Sequence, residues 1–119
     1  RAMLLVAGSD EPGRYTQLAT RLGLLGRVMF LGPSDRVPEL VAASDVFVLP
    51  SRHEPFGMVV LEAMLSGTPP VVSGACGASE VIEPGVDGIV IDGAGDAEGF
   101  ARAIDRVLDR DRWQAMSDA

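Results

Sequence analysis

Short runs of apolar residues, about half of them β-branched, recur along the chain, and segments with helical spacing separate them. The runs lie at residues 3–7, 28–31, 46–49, 70–72 and 89–91, and glycine or proline bounds each of them. Continuous apolar runs are typical of strands that are buried on both faces of a parallel sheet. The alternation of such strands with helices predicts an α/β fold with a doubly wound parallel sheet.

The helical segments carry their own start and stop signals. Apolar residues spaced three and four apart predict helices over residues 12–22, 37–43 and 57–66, and Gly23 and Gly67 follow two of them as end signals. Asp96 is the predicted cap of the most regular helix. Its apolar face consists of Phe100, Ala103, Ile104, Val107 and Leu108. A last helix is expected around Trp113 and Met116, and at 119 residues the whole chain, 1–119, is expected to form a single domain.

Composition excludes several classes of function. The net charge of −7 argues against nucleic acid as a partner, because a phosphate backbone requires a basic face. No apolar run is long enough to span a membrane. The single cysteine, Cys76, cannot form an internal disulfide, which indicates a reducing, cytoplasmic environment. All ten basic residues are arginine, so a mechanism that needs lysine must find it outside this chain.

Two carboxylates flank a predicted helix start directly after the third strand. Ligands of such sheets bind beyond the carboxyl ends of the strands, where Glu54 lies. The free N–H groups of Gly57, Met58 and Val59 are expected to form an anion site at the helix start. Glu62 lies about 7.5 Å further along the axis, at ~1.5 Å per residue, and can accept two hydroxyl groups as a ribose offers them. Glu54 can accept hydroxyl groups from the other end of the same ligand.

The spacing of the two carboxylates by itself leaves other interpretations open. Acidic residues near a helix start also favour the helix dipole, so a purely structural role is equally compatible with the pattern. A glycosidase pair requires a separation of roughly 5–9.5 Å across a sugar. The helix start between the two carboxylates attracts anions and therefore fits a glycosidase poorly. No cluster of aspartate and histidine has the spacing of metal ligands, so no metal is expected.

A longer block is more specific than the two carboxylates alone. It contains Ala-Ser-Asp-Val-Phe-Val-Leu-Pro-Ser at 43–51, Glu-Pro-Phe-Gly at 54–57, Leu-Glu-Ala-Met at 61–64, Gly-Thr-Pro-Pro-Val-Val at 67–72 and Gly-Ala-Ser-Glu-Val-Ile at 77–82. This block resembles the C-terminal, donor-binding domain of the family-4 retaining glycosyltransferases, a Rossmann-like half of the GT-B fold. Gly-Ser-Asp at 8–10 and Ala-Cys-Gly at 75–77 are also similar, more weakly, to glucosyltransferases of the lipopolysaccharide core.

The resemblance implies a role for each matching residue. Glu54 would contact the sugar hydroxyls of the donor and is the tentative catalytic residue, and Glu80 would have a supporting role. The implied donor-binding residues are Phe56, Gly57, Met58, Val59 and Glu62, of which the first three present backbone amides near the sugar and diphosphate and the last holds the ribose. The substrate would be a UDP-, GDP- or ADP-sugar, with no cofactor. Cys76 stands where the family often has glycine.

Parts of the family pattern are missing from this sequence. The family's Arg–Lys pair lies on its first strand and the following loop, whereas residues 3–7 match its second strand. The chain is therefore expected to be a truncated C-terminal domain that lacks the acceptor-binding N-terminal domain and is inactive alone. In the strand order 3-2-1-4-5-6, the absent first strand is central. Either strands 3–7 and 46–49 pair directly, or exposed edges make the fragment self-associate or only marginally stable.

The parent enzyme is expected to be a hexosyltransferase of a bacterial cell-envelope glycan. It would transfer a sugar, with retained configuration, to a glycan or lipopolysaccharide acceptor. It would act in the cytoplasm, peripheral to the inner membrane. Two alternatives stay open: a nucleotide-sugar-binding module without catalysis, and a nucleotide-sugar epimerase of the same GT-B fold.

Overall fold

The chain divides into two compact units in the computed structural model, which describes residues 2–8, 13–33, 35–50, 58–93 and 95–118. The units are Arg1–Val37 and Pro38–Ala119. Each unit contains parallel strands connected by helices, as the alternating pattern predicts. The α/β fold class is therefore confirmed, while the single domain expected over 1–119 stays a prediction.

The first unit consists of two parallel strands that one helix and a 3-10 turn connect. Its elements are β1 (Leu4–Ala7), α1 (Arg14–Arg21), a 3-10 turn (Leu25–Arg27) and β2 (Val28–Gly32). Strands β1 and β2 are parallel, with Leu4 opposite Val28. Gly23 ends α1 in the left-handed conformation (φ 70°), and the N–H of Leu24 donates to the carbonyl of Ala19 at 2.9 Å. This geometry satisfies the last carbonyls of the helix and explains why the glycine was a correct end signal.

Most described residues of the first unit are exposed or half-buried. Among its described residues, Ala19 is the one that is buried. Leu4 is 52% exposed and Leu5 is 40% exposed. Because neighbouring side chains of a strand point to opposite faces, β1 is partly open on both of its faces. Its apolar run alone predicts cover on both faces, so the exposure is larger than the sequence indicates.

The second unit contains the larger sheet. Its elements are α2 (Val37–Ala42, which begins at the boundary of the units), β3 (Phe47–Leu49), α3 (Met58–Leu65), β4 (Pro70–Ser73), a 3-10 helix (Gly77–Val81), β5 (Ile89–Ile91), α4 (Ala97–Leu108) and α5 (Arg110–Asp118). The strand order is β3-β4-β5, and all pairs are parallel. Val71 of β4 lies between Val48 of β3 and Ile89 of β5.

The core of the second unit has two layers, one on each face of β4. Val71 and Val72 are neighbours on this strand, both are 0% exposed, and they belong to different clusters. One cluster packs the sheet against α4 and α5, and it consists of Val71, Ile89, Phe100, Ala103, Val107 and Met116. The other packs the sheet against α3 and the second 3-10 helix, and it consists of Val60, Val72, Cys76, Ala78 and Ile82. Helices therefore cover both faces, which is the doubly wound arrangement predicted from the sequence.

Helix α4 begins at its predicted cap. The side chain of Asp96 accepts a hydrogen bond from the N–H of Gly99 at 2.9 Å. Phe100, Ala103 and Val107 are buried as expected, but Leu108 is 39% exposed. The buried stripe is thus narrower than the predicted apolar face.

All helices of the described part are short. The longest, α4, has 12 residues, whereas a helix that crosses a bilayer needs about 20. Within the described ranges, no helix combines the length and the apolar character that a membrane span requires.

Candidate functional site

Strands β3 and β4 of the larger sheet end at one carboxyl edge, and predicted site residues follow both strands along the chain. Strands β3 and β4 are parallel neighbours, so their carboxyl ends, Leu49 and Ser73, lie at the same edge. The segment that contains Glu54 connects β3 to α3, which carries Glu62, and the segment that contains Glu80 follows β4. Ligands of doubly wound sheets bind at this edge. The topology therefore brings two of the predicted segments to one place.

Two predicted site residues of α3, Met58 and Glu62, are exposed on the side of the helix that faces away from the core, which we call its open side. Val60 and Ala63 are 0% exposed, and their contacts with the core fix the rotation of the helix. Met58 is 56% exposed, Glu62 is exposed, and Val59 is half-buried. Because residues four apart lie on the same face of a helix, Glu62 lies one turn behind Met58 on that open side. The carboxylate and the helix start are thus accessible to the same ligand.

The amino end of α3 is electrostatically suited to an anion. The helix begins at Met58, and the N–H groups of the first turn of any α-helix have no intrahelical acceptor. Together they act as roughly half a positive elementary charge. Glu54, Phe56 and Gly57 lie outside the described residues, so their predicted roles stay predictions.

The 3-10 helix after β4 is held close to α3 by packing. Cys76 and Ala78, both 1% exposed, belong to the same cluster as Val60. Glu80 is exposed on this segment. Cys76 has an extended backbone (φ −79°, ψ 129°) that any residue can adopt. The position where the family often has glycine therefore does not require one in this chain.

A cavity lies at the opposite edge of the sheet. This cavity has a volume of about 180 Å³, and its lining residues are Met64, Leu65, Gly67, Thr68, Pro69, Asp87 and Met116. Residues 67–69 precede β4 and Asp87 precedes β5, so the cavity lies at the amino edge. The sequence did not predict it, because its walls come from segments that are far apart along the chain.

The chain is similar to known glycosyltransferases over almost its full length. The profile of the family described as glycosyl transferases group 1 matches residues 1–118. The lipopolysaccharide core biosynthesis glycosyltransferase LpsE of Rhizobium meliloti is 43% identical over 104 residues, which are 87% of this chain.

Solved structures show the same fold. The crystal structure of Alr3699/HepE from Anabaena in complex with UDP superposes with a TM-score of 0.88 at 35% identity, over 98% of this chain. WaaG, a glycosyltransferase involved in lipopolysaccharide biosynthesis, also gives a TM-score of 0.88, at 30% identity and 98% coverage of this chain.

The matched proteins are much longer than this chain. The similarity covers 30% of LpsE, 34% of HepE and 32% of WaaG. The chain thus spans about a third of the length of these relatives.

Proposed function

Because the chain belongs to the glycosyl transferases group 1 family, we propose that it is the donor-binding part of a retaining glycosyltransferase. The enzyme would move a sugar from a nucleotide-diphosphate sugar to an acceptor. The observation that carries this proposal is the family match over residues 1–118. The Rossmann-like fold of the GT-B C-terminal domain, seen in the superposed structures, supports it.

The open side of α3 suggests how the donor is oriented. The diphosphate would lie at the amino end, near the backbone amides of Met58 and Val59. Glu62 lies four residues further, ~6 Å along the axis at ~1.5 Å per residue, and would accept the two ribose hydroxyls. Glu54 would bind the sugar hydroxyls, and Phe56 and Gly57 would contribute backbone contacts to the sugar and diphosphate. The order of phosphate and ribose along the helix matches the order of these groups in a nucleotide.

Catalysis would depend on positioning and on stabilisation of the leaving group. The bond between the anomeric carbon and the diphosphate breaks while the oxygen of the acceptor hydroxyl forms the new glycosidic bond. Negative charge develops on the departing diphosphate, which takes up the proton of that hydroxyl. The partial positive charge at the start of α3 stabilises that charge without reorganisation. Holding donor and acceptor together supplies a further entropic advantage. The proposal assigns no metal and no cofactor.

The comparisons suggest a donor and an acceptor class. HepE was solved with UDP, so a UDP-sugar is the first candidate donor, before GDP- and ADP-sugars. LpsE and WaaG are both named for lipopolysaccharide synthesis. We therefore propose a hexosyl transfer to a cell-envelope glycan or lipopolysaccharide, by an enzyme in the cytoplasm that associates peripherally with the inner membrane.

A nucleotide panel tests the proposal. UDP, GDP, ADP and their sugars are added to the intact, full-length protein, and the melting temperature and the transfer of sugar are measured with and without acceptor glycans. A ligand at 100 times its Kd should stabilise the protein by ~2.7 kcal/mol. Absence of a shift with every nucleotide would contradict donor binding. Binding without sugar transfer would favour the non-catalytic module, and conversion of the sugar without an acceptor would favour the epimerase.

Glu62→Ala tests the ribose contact directly. Hydrogen bonds to a charged group contribute ~1.5–3 kcal/mol, so we expect nucleotide affinity to fall about tenfold or more. The control is Glu98→Ala, which removes another exposed helical glutamate whose ion pair with Arg102, at 3.8 Å, lies on the surface. Isothermal titration calorimetry should show weaker nucleotide binding by Glu62→Ala and unchanged binding by Glu98→Ala. Equal affinities would refute the role of Glu62.

A further inference from the structure

Met58 combines exposure with a position at the start of α3. Its side chain is 56% exposed, whereas Met116 is 5% exposed and Met64 is half-buried against the core. A thioether is polarisable and reacts with peroxides where these can reach the sulfur. Of the two methionines of this helix, Met58 is therefore the more accessible to oxidation.

The packing of α3 fixes where the backbone of Met58 lies. Val60 and Ala63 are 0% exposed and lock the helix against the core. At the other end, the N–H of Thr68 donates to the carbonyl of Ala63 at 2.9 Å, and Gly67 is in the left-handed conformation (φ 78°). A chemical change in this side chain thus takes place on the first residue of the helix.

We propose that Met58 is a modification site, at which oxidation of the thioether to the sulfoxide weakens sugar-nucleotide binding. This inference rests on the donor role proposed above for the same helix. In the reaction, hydrogen peroxide transfers one oxygen to the sulfur and leaves as water. The sulfur loses two electrons, a new S–O bond forms and the peroxide O–O bond breaks.

The physical consequence follows from the polarity of the sulfoxide. Its oxygen carries partial negative charge and accepts hydrogen bonds, unlike the apolar thioether. Next to the first turn of α3, it competes with phosphate for the N–H groups and repels the diphosphate. Interactions of a charge with a helix terminus are modest, so we expect affinity to fall roughly two- to fivefold.

Peroxide treatment of the purified protein tests this inference. Peptide mass spectrometry measures the sulfoxide at each methionine, and calorimetry measures UDP affinity before treatment, after treatment and after repair by methionine sulfoxide reductases. Met58→Leu removes the sulfur at the proposed site. Met29→Leu is the matched control, because Met29 is also exposed, at 47%, but lies on β2.

We expect Met58 to oxidise faster than Met116, and treatment to weaken UDP binding reversibly in the wild type and in Met29→Leu. The affinity of Met58→Leu should be the same before and after treatment. Equal peroxide sensitivity of Met58→Leu and wild type, or resistance of Met58 to oxidation, would overturn the inference while donor binding stands. If the untreated protein does not bind UDP or any other nucleotide, the donor role fails and this inference fails with it.

Discussion

Thr68 shows how one buried polar residue connects two helices of the second unit. It follows α3, is 2% exposed, and its hydroxyl donates to the carbonyl of Val41 in α2 at 2.9 Å. A buried hydroxyl without a partner would cost free energy, so this bond constrains how the two helices pack. The same carbonyl also accepts the N–H of Ser44 at 3.0 Å. It therefore keeps one partner if the hydroxyl is removed.

We expect Thr68→Val to lower the free energy of unfolding by about 1 kcal/mol. This is near the lower end of the range for a lost buried hydrogen bond, because the carbonyl of Val41 stays satisfied. Urea denaturation followed by fluorescence of the single tryptophan, Trp113, measures the change. Thr68→Ser, which keeps the hydroxyl, should lose less stability than Thr68→Val if the hydrogen bond is what matters. The opposite order would indicate that the methyl group contributes more.

At the scale of elements, the observed ends of the helices agree best with the ends predicted from the sequence. Gly23 and Gly67 both adopt the left-handed conformation that ends a helix, with φ of 70° and 78°. Asp96 caps α4 through the N–H of Gly99. These interactions join residues only a few positions apart, which is why the sequence pattern alone predicts them.

Asp96→Ala should destabilise α4 and, through its packing on β4, the second unit. Loss of such a cap typically costs ~1 kcal/mol within a range of ~0.5–2 kcal/mol. Asp96→Asn is the control, since asparagine offers the same acceptor oxygen to the N–H of Gly99. The midpoint of urea unfolding should fall for the alanine variant and stay close to wild type for asparagine. A similar fall in both variants would mean that the charge, not the hydrogen bond, stabilises the helix.

At the scale of the whole molecule, the two units differ in how much apolar surface they bury. Ala19 is the buried hydrophobic residue among the described residues of the first unit, whereas β4 of the second unit is buried along its whole length. Local opening free energies follow buried contacts. The first unit should thus be the less stable part of the chain, whereas the marginal stability expected for the whole chain stays a prediction. Self-association of the chain stays a prediction.

Hydrogen exchange measures this difference within one sample. We expect amides of β4 to exchange at least about tenfold more slowly than those of β1, after correction for intrinsic rates, because opening of β1 exposes less buried surface. Amides of β3 and β5 provide an internal comparison within the larger sheet. Equal protection of β1 and β4 would show that the whole chain opens as one cooperative unit.

The sequence predicts which site residues share a helix face, but it does not predict contacts between distant segments. Glu62 follows Met58 by four residues, which places both on one side of a helix, and both are exposed on α3. Packing of Cys76 and Ala78 against Val60 was not predictable, because it joins segments that only the folded sheet brings together. The roles of the site residues depend on a ligand and are proposals that the experiments above test.

The sequence by itself determined the order of strands and helices, their caps and the family, since each is encoded in short-range patterns or in a contiguous motif. Only the tertiary structure decided which strands pair within each unit, how narrow the buried stripe of α4 is, and how open β1 remains. It also revealed the cavity at the amino edge and the exposure of Met58. These features depend on contacts between residues that are distant along the chain, and local periodicity carries no information about such contacts.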